Sequence, residues 1–216
     1  MKQSAKIAYF GYGSLVNLET LKTPYLSAHR ARLTGWKRRW LSRPKNVNGF
    51  APIEGLAFLS VEPCPDTIID GMIIVDHRSS LPSLDQREVL YDRLPIQLQQ
   101  LEFLDDNPLH GSGNGGNVNG RNDGDLQEDG LFLYAARQPA AGPQARILRS
   151  YLDVVMRGYH GHFGEDGIRR FIDTTENFDC GILEDRHEPI YPRSITVQQA
   201  EVDLFARHVP HVPHLP

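Results

Sequence analysis

The segment that decides how this chain of 216 residues is interpreted reads Tyr9-Phe10-Gly11-Tyr12-Gly13-Ser14-Leu15. The apolar run over residues 7–10 predicts a short buried strand, which Gly11 ends. The Gly-Tyr-Gly-Ser sequence that follows predicts a tight turn whose backbone N–H groups converge on an anion or on a developing oxyanion. A plain hairpin turn is the alternative interpretation of this motif when it is taken alone.

Three familiar phosphate-binding or catalytic motifs do not fit the turn. A dinucleotide-binding fingerprint needs a third glycine where this chain has Val16, and Pro24 would cut its helix short. A P-loop needs Gly-Lys-Ser/Thr, which does not occur here. A nucleophile elbow around Ser14 needs glycines where Tyr12 and Val16 stand. The turn therefore predicts a pocket that is lined by backbone and binds no cofactor.

A second informative segment is predicted to form a helix over Ser83–Leu94. Ser83 would be its N-cap, with Gln86 completing a capping box three residues later. In such a helix Leu84, Glu88 and Tyr91 share one face, because they are spaced at i, i+4 and i+7.

Glu88 is the candidate catalytic residue of this helix. A glutamate on an apolar face is costly unless it is paired or protonated, so its pKa is expected to rise towards neutrality. A carboxyl group of that kind both accepts and donates a proton near pH 7. The alternative is a structural ion pair between Glu88 and Arg87, Arg93 or another basic residue.

The remaining pattern predicts an α+β fold with a mixed or antiparallel sheet, because strands come first and helices later. The further strands are expected at Leu33–Leu41, Gly55–Val61, Gly71–Val75 and Leu131–Ala135. A long helical pattern starts at Gln144, with Leu148, Tyr151, Val155 and Tyr159 on one face, and a shorter helix is expected over Gly164–Thr174.

Composition bounds the class of protein. The chain is 40% hydrophobic and 23% charged, with a formal net charge of −4 and two cysteines. It can therefore bury an ordinary core, and it is neither a disordered chain nor a disulfide scaffold nor a four-cysteine zinc module. Its length indicates one domain. The N-terminal apolar run is too short for a signal peptide or a membrane span, so a soluble, cytoplasmic protein is expected.

Several other segments have both a functional and a purely structural interpretation. The Gly/Asn-rich stretch over residues 106–130 is expected to be a flexible surface loop, because it cannot bury enough apolar area to offset its ordering entropy. The alternative of a calcium site is disfavoured, because the acids of the stretch lack the spacing of a calcium loop. The C-terminal His208, His211 and His214 repeat every third residue, which suits either a weak metal site or a frayed proline-rich end. Neither Cys64 nor Cys180 has the neighbours of a nucleophile.

The basic run between Arg30 and Lys45, interleaved with Trp36 and Trp40, could bind single-stranded nucleic acid. In a strand, however, Trp36, Arg38 and Trp40 would share one face. A sheet strand with a basic solvated or substrate-facing side is the preferred interpretation, and no nucleic-acid partner is expected.

Taken together, the turn at Tyr12 and the Glu88 segment resemble the gamma-glutamylcyclotransferase-like superfamily. Its pattern is a YGS(L/N) turn near the start, followed by a helix of the form L-D-x-x-E or R-E with a tyrosine a few residues on. The resemblance implies a small mixed β-barrel flanked by helices. It covers residues 7–135 best. On this basis residues 1–216 form one domain, with a core over about 5–140 and a helical C-terminal extension over about 144–207.

The resemblance also implies the site and the reaction. The turn would hold the glutamyl carboxylate and carbonyl, Glu88 would be the acid/base, and Tyr91 and Tyr134 would line the pocket; the turn residues are Tyr12, Gly13, Ser14 and Leu15. The reaction would cyclise a small-molecule gamma-glutamyl amide to 5-oxoproline and release an amine or amino acid, with no cofactor, no metal and no membrane partner. The leaving group and the oligomeric state stay open. The alternative is a non-catalytic small-molecule binder on the same fold.

Overall fold

The computed structural model describes residues 5–42, 55–109, 126, 130–136 and 145–209. The strands are β1 (Lys6–Gly11), β2 (Ser27–Ser42), β3 (Ala57–His77), β4 (Tyr91–Pro95), β5 (Leu101–Phe103), β6 (Leu131–Ala136), β7 (Ile147–Leu148), β8 (Thr175–Glu176) and β9 (Ile182–Leu183). The α-helices are α1 (Leu81–Arg87), α2 (Arg149–Asp173) and α3 (Gln199–His208). Short 3-10 helices span Ser14–Val16, Leu18–Thr20, Arg78–Ser80, Leu98–Gln100 and Phe178–Cys180. The predicted α+β class is confirmed.

One mixed sheet organises the fold. Its strand order is β4-β6-β1-β3-β2-β5, with β8 paired beside β2. The pairs β1/β6 and β2/β8 are parallel, and the other pairs are antiparallel. Strands β7 and β9 form a separate parallel pair. Among the described strands no pairing joins β4 to β5, so the sheet is open there and its closure into a barrel stays a prediction.

The long hairpin of β2 and β3 replaces several shorter predicted strands. The strands expected at Gly55–Val61 and Gly71–Val75 are parts of the single strand β3, which pairs with β2 along most of its length. The prolines and exposed residues between them interrupt the hydrophobic pattern, whereas the pairing continues. The register of the β2/β3 pairing shifts between Thr34 and Trp36. Gly35 lies at this shift with a φ of 89°, a backbone conformation that residues with a side chain rarely adopt.

The helix predicted over Ser83–Leu94 is wrong at both ends. Helix α1 starts earlier, with a proline in its first turn, and Ser83 is not its N-cap. It ends at Arg87, and Glu88 is its C-cap, with φ −101° and ψ 35°. Tyr91 starts strand β4, which pairs with β6, so this non-local pairing overrides the local helical spacing.

Helix α2 covers the end of β1 and the turn that follows. Of the two helices predicted in this region, the second continues from the first across a break at Gly164, where φ is 66°. Most buried apolar residues of α2 join the main core, whereas Val154 packs in a smaller cluster with Leu148 and Tyr191. The Asn17 side-chain amide donates to the carbonyl of Val154 at 3.2 Å, which ties the turn to this helix.

Gly158 is the point of closest approach between α2 and the turn. A Cβ at this position would lie 2.6 Å from the backbone N of Asn17 and 2.8 Å from the carbonyl carbon of Val16. We expect Gly158→Ala to lower the free energy of unfolding by about 1–3 kcal/mol, because the helix must move away. Gly161→Ala, in the same helix with no atom within 4 Å, is the matched control and is expected to stabilise by up to about 1 kcal/mol. Urea unfolding of the two variants measures the difference, and equal stabilities would contradict this packing.

No helix within the described ranges has the length and apolar character needed to cross a membrane.

Candidate functional site

A pocket lies between the end of β1, the end of α1 and helix α2. All seven residues that the sequence analysis predicts as site residues line it. About 300 Å³ of empty space lies in it, part of which is open to solvent. Its lining residues are Phe10, Tyr12, Gly13, Ser14, Leu15, Leu59, Glu88, Tyr91, Tyr134 and Tyr151.

The turn of the pocket is shaped by two glycines. A Cβ on Gly11 would lie 2.6 Å from the Cβ of Leu15, and a Cβ on Gly13 would lie 2.9 Å from the Tyr151 hydroxyl. Both positions therefore require the absence of a side chain. Gly13 is the N-cap of the 3-10 helix that starts at Ser14, and the first N–H groups of such a helix have no carbonyl within it to bond. The Val16 N–H already donates to the Gly13 carbonyl at 2.9 Å and the Ser14 N–H to the Tyr151 phenol, so Leu15 supplies the remaining N–H of this helix for an acceptor in the pocket.

Glu88 lies at the C-terminal end of α1, and its side chain is 12% exposed. Its Oε1 is 2.9 Å from the Nε of Arg87, so the ion pair that formed the alternative interpretation is present. The Arg87 guanidinium also donates to the carbonyl of Thr20 at 2.7 Å, to its hydroxyl at 2.9 Å and to the Ser14 hydroxyl at 3.4 Å. Arg87 thus links the acid to the turn and supplies a compensating charge.

Three of the nominated residues are tyrosines with defined hydrogen-bond partners. The Tyr12 hydroxyl donates to the backbone carbonyl of Tyr134 at 2.6 Å, and the Tyr91 hydroxyl donates to that of Leu59 at 2.9 Å. The Tyr134 hydroxyl donates to Oδ1 of Asp85 at 2.7 Å. Burial is the largest cause that raises the pKa of all three phenols, and the Glu88 carboxylate acts in the same direction. These phenols therefore stay protonated and do not serve as bases.

Tyr151, a fourth tyrosine of the pocket, was missed by the sequence analysis as a site residue. It lies on α2, where its spacing with Leu148 and Val155 indicated only a core face. Its ring packs edge-on against Trp40 and Tyr191, at centroid distances of 5.8 and 4.9 Å. Burial raises the pKa of its phenol, while a backbone hydrogen bond from Ser14 opposes that shift. No local signal connects position 151 with a turn near position 13.

Arg38 supports the turn from behind and is fully buried. Its Nε donates to the carbonyl of Tyr12 at 3.1 Å, its Nη1 to the Thr174 hydroxyl at 2.7 Å, and its Nη2 to the carbonyl of Asp70. The guanidinium carbon lies 5.0 Å from the ring centre of Tyr159. Within the described part of the chain no carboxylate forms an ion pair with Arg38, so carbonyls, hydroxyls and aromatic rings compensate its charge.

The other basic residues of β2 are already paired with acids of neighbouring segments. The ion pairs are Arg30–Asp105, Arg32–Asp70, Arg32–Glu102, Lys37–Glu62, Lys37–Glu176 and Arg39–Glu62. Trp36, Arg38 and Trp40 share the buried face, as the alternation predicted. Arg43 and Lys45 lie outside the described residues. That no nucleic acid binds stays a prediction.

Metal ligands are not clustered in the described ranges, where no group of three or more His, Cys, Asp or Glu side chains could hold an ion. His208 instead lies 2.7 Å from the Glu165 carboxylate. His211 and His214, together with residues 110–125 and 127–129 of the Gly/Asn-rich stretch, lie outside the described residues.

The half-buried Cys180 thiol is expected to be unreactive. Burial is the main cause that raises its pKa to about 11, and Asp179 contributes. At pH 8 only about one thiol in a thousand is then ionised, since a pKa unit is a factor of ten. We expect iodoacetamide to alkylate Cys180 at least about 100-fold more slowly in the folded protein than in guanidinium chloride. Mass spectrometry of a labelling time course measures this, and rapid labelling of the folded chain would contradict it.

No protein-family model and no curated protein matches the chain. The structure is similar to a solved "Gamma-glutamyl cyclotransferase", with 14% identity, a TM-score of 0.48 and coverage of 94% of this chain and 99% of that one. It is also similar to a yeast gamma-glutamyl cyclotransferase specific to glutathione, with 13% identity, a TM-score of 0.44 and coverage of 98% and 100%. It is similar as well to YkqA from Bacillus subtilis, with 17% identity and a TM-score of 0.48. That match covers 80% of this chain and 56% of YkqA.

Proposed function

We propose that this chain is a gamma-glutamylcyclotransferase-type enzyme, which cyclises a gamma-glutamyl amide to 5-oxoproline and releases an amine or amino acid. The observation that carries the proposal is the convergence of the Glu88 carboxylate and the Tyr12–Leu15 turn on one pocket. These two features are what an intramolecular acyl transfer requires: a group that moves a proton, and donors for an oxyanion.

The reaction needs no nucleophile from the protein, because the α-amine of the substrate attacks its own γ-carbonyl carbon. Glu88 first takes a proton from the substrate ammonium. The new C–N bond then forms, and the carbonyl oxygen becomes an oxyanion. When that oxyanion collapses, the amide C–N bond breaks and Glu88 returns the proton to the leaving nitrogen. The ring nitrogen still carries one proton more than a lactam, and it loses this proton to the Glu88 carboxylate, which passes it to the released amine. The products are then 5-oxoproline and an ammonium ion, and protons and electrons balance.

The turn and the tyrosines have complementary parts in this proposal. The Leu15 N–H of the Ser14–Val16 helix would donate to the oxyanion or to the glutamyl carboxylate. The protonated phenols would line the walls and orient the substrate, since their own hydrogen bonds keep them in place. Arg87 would hold the carboxylate of Glu88 towards the pocket.

A non-catalytic small-molecule binder is the second candidate, and the Arg87–Glu88 ion pair is the observation in its favour. In that case Glu88 would be a structural partner of Arg87, and the pocket would hold a ligand without converting it. Turnover separates the two candidates, because only an enzyme releases a product.

The test is 5-oxoproline release from a panel of gamma-glutamyl compounds, with peptides, amino acid amides and simple amines as leaving groups. We expect release from at least one member, and the best member defines the leaving-group class. The matched control is the α-glutamyl isomer of that compound, whose scissile bond is not the amide at the γ-carbonyl and which should give no product. Failure of every panel member would contradict the cyclotransferase proposal.

A further inference from the structure

A second pocket adjoins the proposed site on the other side of Arg87. It encloses about 670 Å³ of empty space, part of it open to solvent. It shares no lining residue with the first pocket, but the Arg87 guanidinium that lines it is bonded to Glu88. Its lining residues are Tyr9, Thr20, Leu21, Lys22, Thr23, Asp76, Ser80, Ser83, Leu84, Arg87, Pro192 and Arg193.

Positive charge exceeds negative charge in this second pocket. Lys22, Arg87 and Arg193 contribute three cations, whereas Asp76 contributes the single carboxylate. The Asp76 carboxylate is occupied, because it accepts hydrogen bonds from the backbone N–H of His77 at 2.6 Å and from the Ser80 hydroxyl at 2.9 Å. Hydroxyl groups supply further donors around the cations.

Two of the three cations have no acidic partner among the residues that the structure describes. Neither Lys22 nor Arg193 forms an ion pair with a carboxylate of the described ranges. Arg193 is nevertheless held in place, since its Nε donates to the Tyr191 hydroxyl at 3.1 Å and its guanidinium lies 5.2 Å from the centre of that ring. A positioned guanidinium with unused N–H groups is suited to a carboxylate or phosphate.

We infer that this second pocket binds the carboxylate or phosphate group of a small molecule, through Lys22 and Arg193 with support from Arg87. The binding step itself does not depend on the proposed function. Its consequence does, because an anion in the pocket competes with Glu88 for Arg87 and thereby changes the surroundings of the proposed acid/base. The anion belongs either to the leaving group of the substrate or to a separate molecule.

Direct binding tests the pocket independently of turnover. Citrate and inorganic phosphate are titrated into the full chain by calorimetry, and the same is done with Lys22→Gln/Arg193→Gln. We expect saturable binding to the wild type and a loss of about tenfold or more in affinity for the variant, as charged hydrogen bonds are removed. Arg169→Gln/Arg207→Gln removes two charges that do not line the pocket and should bind as the wild type does.

One milder variant and two contradicting outcomes keep this test decisive. Lys22→Gln alone, an exposed change, should give a smaller loss of affinity if the double variant fails to fold. Absence of saturable binding to the wild type, or equal affinities for all variants, would overturn the inference whether or not the chain releases 5-oxoproline.

A second arm identifies the source of the anion and rests on the proposed function. Gamma-glutamylalanine and gamma-glutamylethylamide differ only in the carboxylate of the leaving group. If the pocket binds that carboxylate, the double variant loses the wild-type preference in kcat/KM for gamma-glutamylalanine. If the preference is unchanged while citrate or phosphate still binds the wild type, the anion is a separate molecule.

Discussion

Replacing Glu88 by glutamine is expected to lower the rate of 5-oxoproline release by about 10²–10⁴-fold, which is the usual contribution of a general acid/base. Glutamine has nearly the same shape but cannot take a proton from the substrate ammonium. The loss should appear in kcat, whereas KM should change by only a few-fold, because the turn and the tyrosines still bind the substrate. Steady-state kinetics with the best panel substrate measures both constants.

The control for Glu88→Gln is Glu102→Gln, which removes an exposed carboxylate paired with Arg32 on the edge of the sheet. This variant should keep the wild-type rate. If Glu88→Gln turned over as fast as the wild type, Glu88 would be only the structural partner of Arg87. If it lost substrate affinity and not kcat, Glu88 would be a binding group.

Replacing Arg38 by methionine is expected to lower the free energy of unfolding by about 3 kcal/mol, since charged hydrogen bonds to buried carbonyls each contribute about 1.5–3 kcal/mol. Methionine fills part of the space but leaves the carbonyls of Tyr12 and Asp70 without the guanidinium donor. The desolvation cost of the buried charge is relieved at the same time, which limits the loss. Because Tyr12 begins the pocket turn, the same change should also impair turnover.

Arg39→Met is the matched control, because Arg39 is the next residue of β2 and faces the opposite side. Its guanidinium forms a half-exposed ion pair with Glu62, and such pairs contribute about 0–1 kcal/mol. Urea unfolding followed by circular dichroism compares the two variants. A variant Arg38→Met as stable as the wild type would show that the desolvation cost of the guanidinium cancels its hydrogen bonds.

The turn and Glu88 could be predicted from the sequence because their signals are local. Glycines at positions 11 and 13 mark a close approach of backbone, and Glu88 stands beside an apolar pattern. The predicted reason for the position of Tyr91 was wrong, however, since it does not share a helical face with Glu88. Its backbone N–H donates to the Glu88 carbonyl at 2.8 Å, and this turn at the end of α1 carries it into the same pocket.

The rest of the site depends on contacts between distant parts of the chain. Tyr151 meets Gly13 only because helix α2 packs on the turn, and nothing within its own segment specifies that contact. The alternation of β2 correctly predicted that Arg38 shares a face with Trp36 and Trp40, which is buried, but it did not predict what compensates the charge of Arg38 there. Tyr159 and Thr174 compensate the buried charge of Arg38 through hydrogen bonds, and both lie more than 100 positions away in the sequence.

The measurement that tests the central claim most directly is a time course of both products from the best gamma-glutamyl substrate. Wild type and Glu88→Gln are compared at equal concentration, with 5-oxoproline and the released amine quantified in the same samples. We predict that the wild type forms the two products in equal amounts and that the variant forms neither at a comparable rate. Release of the amine with free glutamate in place of 5-oxoproline, or no release at all, would contradict the account.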